Sequence, residues 1–146
     1  MNHYIKLIGF AEDPLPVEWV KERPEVVNGV RFGDKRRPPV SKGDRVIYYA
    51  VGRQRFCGIL EVLSDCATKD NPDTEPWEAW QKEKWPWWVG LKPIILLPAD
   101  ERSPHVGEVG FDVKRIIHKG YLKITQGEFE KLEQAIRQRS ASNPSP

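Results

Sequence analysis

The order of apolar and polar positions divides this chain into short strands separated by turns rich in Pro, Gly and Asp, with one helical stripe near its end. His3 to Phe10 predicts a first strand whose apolar side chains are Tyr4, Ile5, Leu7 and Ile8, and Asp13-Pro14 with Pro16 breaks it. Val17 to Glu22 predicts a short helix ended by Pro24. Arg45 to Val51 is too apolar for a surface strand and too short for a confident helix, so it predicts a buried strand. Val51 to Arg55 forms a hairpin connection to a partner strand, Phe56 to Leu63, in which Gly58 marks a bulge or a close approach. A polar loop over Asp65–Asp73 leads to a helix capped by Thr74, with Trp77 and Trp80 on one face and Lys84-Trp85-Pro86 closing it.

Trp87 to Leu97 is the longest apolar stretch, and Pro93 inside it calls for an edge position or a bulge. Phe111 to Ile117 is compatible with a strand or a short helix. Thr125-Gln126-Gly127-Glu128 is a capping box with Ile124 and Phe129 as its hydrophobic staple. Phe129, Leu132 and Ile136 then form the apolar stripe of a terminal helix. A single domain over 1–138 with a disordered tail over 139–146 is expected, since Ser, Asn and Pro fill the end. Five or so strands with few short helices cannot cover both faces of a parallel sheet. The pattern predicts a small α+β domain with a strongly curved sheet or small barrel.

Composition changes this picture little. With 146 residues, 30% charged and 39% hydrophobic, the chain has the usual make-up of a soluble globular domain. A net charge of +2 leaves nucleic acid open as a partner, so the distribution of charge carries that question. Cys57 and Cys66 match no metal-ligand spacing, and reduced thiols in a cytoplasmic protein are expected. No signal-peptide pattern or membrane-length apolar run is present.

The stretch Asn28 to Tyr49 joins a glycine-and-arginine loop to a basic cluster and then to a Lys42-Gly43-Asp44 turn that launches the buried strand. A loop held by a rigid sheet is a favoured place for binding residues. Arg31, Lys35, Arg36 and Arg37 gather there, Arg53 and Arg55 follow on the hairpin, and Lys114, Arg115, His118 and Lys119 come late. If these loops meet, they form a cationic rim suited to phosphates; otherwise they are solvated loops. Phe32, Tyr48, Tyr49, Trp85, Trp87 and Trp88 are the candidate walls of an aromatic pocket. Side-chain alternation forbids Trp87 and Trp88, or Tyr48 and Tyr49, from facing the same way. Catalytic signals are weak: no serine elbow, no metal-binding His spacing and no phosphate-binding glycine loop occurs. No catalytic residue, cofactor or metal is expected.

Three segments in order resemble the EVE domain family: Gly29-Val30-Arg31, then Lys42-Gly43-Asp44 with Val46-Ile47-Tyr48-Tyr49, then Cys57-Gly58-Ile59-Leu60-Glu61-Val62. Trp85-Pro86-Trp87-Trp88-Val89 and Tyr121-Leu122-Lys123-Ile124-Thr125 resemble its later parts. The resemblance implies a PUA-like, strongly bent β-barrel flanked by short helices, with a C-terminal helix, related to YTH and ASCH domains. It also implies a non-catalytic pocket for a base, often modified, turned out of DNA or RNA. On that reading Asn28, Phe32, Tyr48, Trp85 and Trp88 surround the base, and Arg31, Lys35, Arg36, Arg37, Arg53 and Lys119 meet the phosphates. The family usually carries Trp before Gly-Val-Arg and Asn after it; here Val27 or Asn28 and Phe32 hold those places, which leaves the stacking residue and the preferred base open.

Two other readings stand beside it. ASCH-type amidohydrolases act on acylated nucleosides through Thr, Lys and Glu, but Thr68, Thr74 and Thr125 all lie away from the early basic loop, leaving Lys35 and Glu61 without a hydroxyl partner. A protein- or small-molecule-interaction domain is compatible with the low net charge.

Overall fold

Strict alternation along the strands gives one sheet two apolar faces, and that arrangement places everything else. The computed structural model describes residues 1–8, 29–32, 36–66, 87–98, 100–116 and 120–141. Its strands are β1 (His3–Ile8), β2 (Gly29–Phe32), β3 (Arg45–Ala50), β4 (Arg55–Val62), β5 (Trp87–Leu96) and β6 (Tyr121–Ile124). They form a six-stranded sheet in the order β2-β5-β4-β3-β1-β6. β1 and β3 run parallel, and every other neighbouring pair is antiparallel.

Tyr4 and Ile8 of β1, Val46, Tyr48 and Ala50 of β3, and Leu60 and Val62 of β4 point to one face. Ile5, Ile47, Tyr49, Phe56 and Ile59 point to the other, where Phe129, Leu132 and Ile136 of helix α1 (Gln126–Ala141) cover them. The first face is concave. In a flat sheet β2 and β6 would lie about 24 Å apart, at roughly 4.8 Å per strand. Instead the Phe32 and Tyr121 rings, one from each outer strand, sit edge to face with centroids 5.3 Å apart. The sheet is curled into a half-barrel whose two edges are joined by side chains. This is the small, bent α+β architecture that the pattern predicts.

Local chemistry explains the turns. Gly43 adopts φ 93°, a conformation that a side chain would strain. Asp44, buried beside it, accepts from the backbone N–H of Ser41 in its own turn and of Asn2 at the chain start, both at 2.9 Å. At the hairpin, Cys57 is the extra residue of a bulge between Tyr48/Tyr49 and Gly58/Phe56, as expected near Gly58. Pro93 lies at a second irregularity, where Ile59 pairs with Ile95 and Leu60 with Pro93. β2 flanks only Trp87–Gly90 of β5, so among the described residues Pro93 faces no strand on its other side.

The structure departs from expectation in two places and decides an open choice in a third. Gly29-Val30-Arg31-Phe32 is a strand and not a loop: it pairs antiparallel with Trp87–Gly90, and Val30 and Phe32 alternate into the core. Its pairing partner lies far along the chain, and four residues are too few to display a period. Of the strand and the short helix open after Phe111, the short helix is found, a 3-10 turn over Val113–Arg115 where the Asp112 side chain accepts from Lys114 N–H at 3.0 Å. The terminal helix continues to Ala141, so Arg139 begins no tail; it pairs with Glu108 and donates to the Glu101 carbonyl. The expected helices over Val17–Glu22 and after Thr74 lie outside the described residues.

The capping box forms as drawn from the sequence. Glu128 N–H donates to Thr125 Oγ1 at 3.1 Å, and Thr125 N–H donates to Glu128 Oε1 at 3.0 Å. Arg115 pairs with the same carboxylate and holds it below the usual carboxylate range. Thr125→Ala is expected to lower stability by about 0.5–2 kcal/mol. Chemical denaturation of the two proteins reads this directly, and equal midpoints would refute it.

Candidate nucleic-acid interface

The seam where the half-barrel closes collects rings and donors. In β1, Tyr4, Lys6 and Ile8 share the inward parity, so a lysine stands where the alternation calls for an apolar residue. Lys6 is only 8% exposed. Its register partners are Tyr48 on β3 and Tyr121 on β6, which set it in a row of two tyrosines across three strands. The ammonium lies 5.3 Å from the Phe32 ring centroid, within cation–π reach, and donates to the Leu7 carbonyl at 2.9 Å. Tyr4 and Tyr121 are a further tilted pair at 6.0 Å. Trp87, the cross-strand partner of Phe32, packs on this same core while remaining partly exposed, as does Tyr121. Trp87 Nε1 is buried and has no hydrogen-bond partner among the described residues. The seam therefore holds edge-to-face and tilted rings, a buried lysine and an indole donor without a partner among the described residues.

The opposite side of the β2–β5 pair carries Trp88. Its position follows from two glycines that face each other across the strands, Gly29 and Gly90. A Cβ at Gly29 would lie 2.5 Å from Trp88 Nε1, and one at Gly90 would lie 3.3 Å from Trp88 Cη2. The indole thus lies flat on bare backbone. Gly90 is held there by N–H donation to Ser64 Oγ at 2.9 Å and by its carbonyl accepting from Leu63 N–H at 2.8 Å. The parity argument for the adjacent tryptophans holds: Trp87 turns to the core and Trp88 away from it.

The expected site residues divide accordingly. Phe32 belongs to the seam but is 1% exposed, so its faces are covered and it backs the site rather than opening onto it. Tyr48 is fully buried, its phenol pushed well above the ordinary range by desolvation, and it is corrected from pocket wall to core. Arg31, opposite Trp88, is 4% exposed, so the structure places it in the interior and not on an open rim. Arg36, Arg37 and Arg53 are exposed. Arg115 sits over Phe111 at 5.0 Å and pairs with Glu128, which ties it to the helix-covered face and separates it from the seam. Asn28, Trp85, Lys35, His118 and Lys119 lie outside the described residues.

Nucleophiles are poorly placed. Both cysteines are buried, and desolvation pushes the Cys57 thiol up to about 12, far from the thiolate that attack requires. His3 stacks on Phe129 at 4.3 Å with its pKa lowered, chiefly by burial, so it belongs to the packing of β1 against α1. Lys6 and Tyr121 were missed in the sequence because each stands in an apolar strand context that reads as core. The one available signal was parity, which puts Lys6 between Tyr4 and Ile8.

No family model and no curated protein matches this chain. Solved structures do. A protein from Agrobacterium tumefaciens is similar over 100% of this chain and 99% of its own, with TM-score 0.57 and 16% identity. Human THYN1, solved in complex with DNA containing 5-methylcytosine, is similar over 100% of both chains, with TM-score 0.53 and 14% identity. The YTH domain of Zygosaccharomyces rouxii MRB1, solved with N6-methyladenosine RNA, is similar over 92% of this chain and 84% of that one, with TM-score 0.53 and 10% identity. Identities this low speak to backbone architecture, and the agreement spans nearly the whole chain. With its mixed sheet curled into a half-barrel and closed by a C-terminal helix, this chain has the EVE-type, PUA-like fold.

Proposed function

We propose that this protein is a non-catalytic nucleic-acid-binding module that takes a base, turned out of its strand and carrying a modification, against the aromatic seam. The observation that carries the reading is the meeting of Phe32 with Tyr121 where the sheet edges close, with Lys6 over the Phe32 ring and Trp87 as the cross-strand partner of Phe32. Extruding a base costs a few kcal/mol, less from a single strand, and stacking on an aromatic face returns about 1–3 kcal/mol per base. At the seam, Trp87 and Tyr121 are rings that keep exposed area. Support also comes from two proteins of the same fold that were solved with modified nucleic acid. Arg36, Arg37 and Arg53, with Lys35 and Lys119, are the proposed phosphate contacts; they add affinity without sequence information. Trp88, with Asn28 and Trp85, is kept as a proposed flank of the base site.

The test is titration of short oligonucleotides, with and without a modified cytosine or adenine, at two salt concentrations. The expected result is tighter binding of one modified oligonucleotide, and an affinity for all of them that falls linearly with salt on a log–log plot. Equal affinity for modified and unmodified strands, or no binding at low salt, refutes the proposal.

A further inference from the structure

Charge is compensated differently on the two sides of the sheet. On the α1 side, Arg115, Arg137 and Arg139 pair with Glu128, Glu133 and Glu108 in turn. At the seam, β1, β2, β6 and residues 36–40 contain lysine and arginine but no aspartate or glutamate. Asp44, whose charge reaches Tyr4, is itself buried, and its two carboxylate oxygens accept from the backbone N–H groups of Asn2 and Ser41. Lys6 and Arg31 are withdrawn from solvent. Arg36, Arg37 and Lys123 are the exposed cations of these segments, and among the described residues no carboxylate pairs with them.

The fold ties these three cations together. On β6, Lys123 shares the parity of Tyr121, the partly exposed ring that meets Phe32 and Tyr4. Its register partner on β1 is Tyr4, and facing residues of an antiparallel pair have Cα atoms about 4.5–5.5 Å apart. The Tyr4 hydroxyl in turn donates to the Pro39 carbonyl at 3.3 Å. Arg37 stands two residues before Pro39, at most about 7 Å along the chain. One tyrosine therefore links the β6 edge to the Arg36–Arg37 segment. We infer that Lys123 is a phosphate contact and that, with Arg36 and Arg37, it forms the track for a single strand passing beside Tyr121. This rests on the nucleic-acid reading above and adds to it a residue and a path. An exposed ammonium with no acid beside it keeps its charge for a polyanion, whereas a guanidinium paired with a carboxylate must first give up that partner. Phosphate contacts carry no sequence information, so the track sets affinity and the base at the seam sets choice.

The experiment uses the full chain and short single strands of deoxythymidine that carry one central cytosine or 5-methylcytosine, with fluorescence anisotropy at several salt concentrations. Each phosphate neutralised on a single strand contributes about 0.7 to the slope of log affinity against log salt. Lys123→Gln is expected to reduce that slope by about 0.7, and Arg37→Gln by a similar amount. Lys131→Gln removes an exposed lysine of α1, the helix on the opposite face of the sheet, and is expected to leave the slope unchanged. Lys123→Gln is also expected to weaken both strands equally, so that the ratio of their affinities stays at the wild-type value. All three positions are exposed, and thermal melts confirm that the variants are folded. A wild-type slope in Lys123→Gln, a loss as large in Lys131→Gln, or a changed ratio between the two strands overturns this inference and leaves the base-binding reading standing. Absence of wild-type binding to either strand at low salt overturns both.

Discussion

Leu132→Ala and Ile136→Ala are each expected to lower stability by about 2–5 kcal/mol, the range for deleting a large aliphatic side chain from a packed core. Leu132 is 1% exposed and Ile136 is fully buried. Together with Phe129 they form the stripe by which α1 covers the convex face over Ile5, Ile47, Phe56 and Ile59. For a chain of this size, that loss lowers the melting temperature by roughly 5–20 °C. The prediction also separates the two faces of the sheet. The helix stripe and the seam lie on opposite sides, so well below the melting temperature these variants are expected to bind oligonucleotides as the wild type does. An unchanged melting temperature would show that α1 does not cover this face. A binding loss in a folded variant would show that the two faces are coupled.

The second large effect is expected at Gly29, where a single methyl group meets an indole. Gly29→Ala places its Cβ 2.5 Å from Trp88 Nε1 and 2.6 Å from Cζ2, distances at which something must shift. The backbone there is paired to Gly90, so the ring moves first. Overpacking of this kind costs about 1–3 kcal/mol. The coupling supplies the sharper test. In the Gly29→Ala, Trp88→Ala double variant the clash is gone, and the combined loss is expected to fall short of the sum of the single losses by about 0.5–3 kcal/mol. Strict additivity in denaturant unfolding would mean that Trp88 does not rest on Gly29.

Much of the element order was readable because it is local. The short apolar runs of His3–Ile8, Arg45–Ala50 and Arg55–Val62, and the Thr125 to Glu128 capping box, are written within a few consecutive residues. That Trp87 and Trp88 face opposite ways followed from parity alone; which of them turns to the core did not. β2 was hidden because Gly29–Phe32 is too short for a period and depends on Trp87–Gly90 for its hydrogen bonds. The basic loop was read as a rim because arginine is usually solvated, yet pairing against β5 carries Arg31 inward opposite Trp88. Tyr48 was chosen as an aromatic wall and is core, since its parity is inward at the middle of the sheet, away from either edge.

What the sequence by itself determined about this protein is therefore most of its strands, its capped terminal helix and the opposite sense of neighbouring side chains along a strand. Those depend on dihedral preference, periodicity and hydrogen bonds between near neighbours in the chain. Only the tertiary structure decided that the sheet curls until Phe32 meets Tyr121, that Lys6 is buried over the Phe32 ring, and that Trp88 rests on two facing glycines. The first two contacts join strands from opposite ends of the sheet order, and the third depends on the pairing of β2 with β5. Their geometry depends on how far the sheet twists and closes, which no local run of residues specifies.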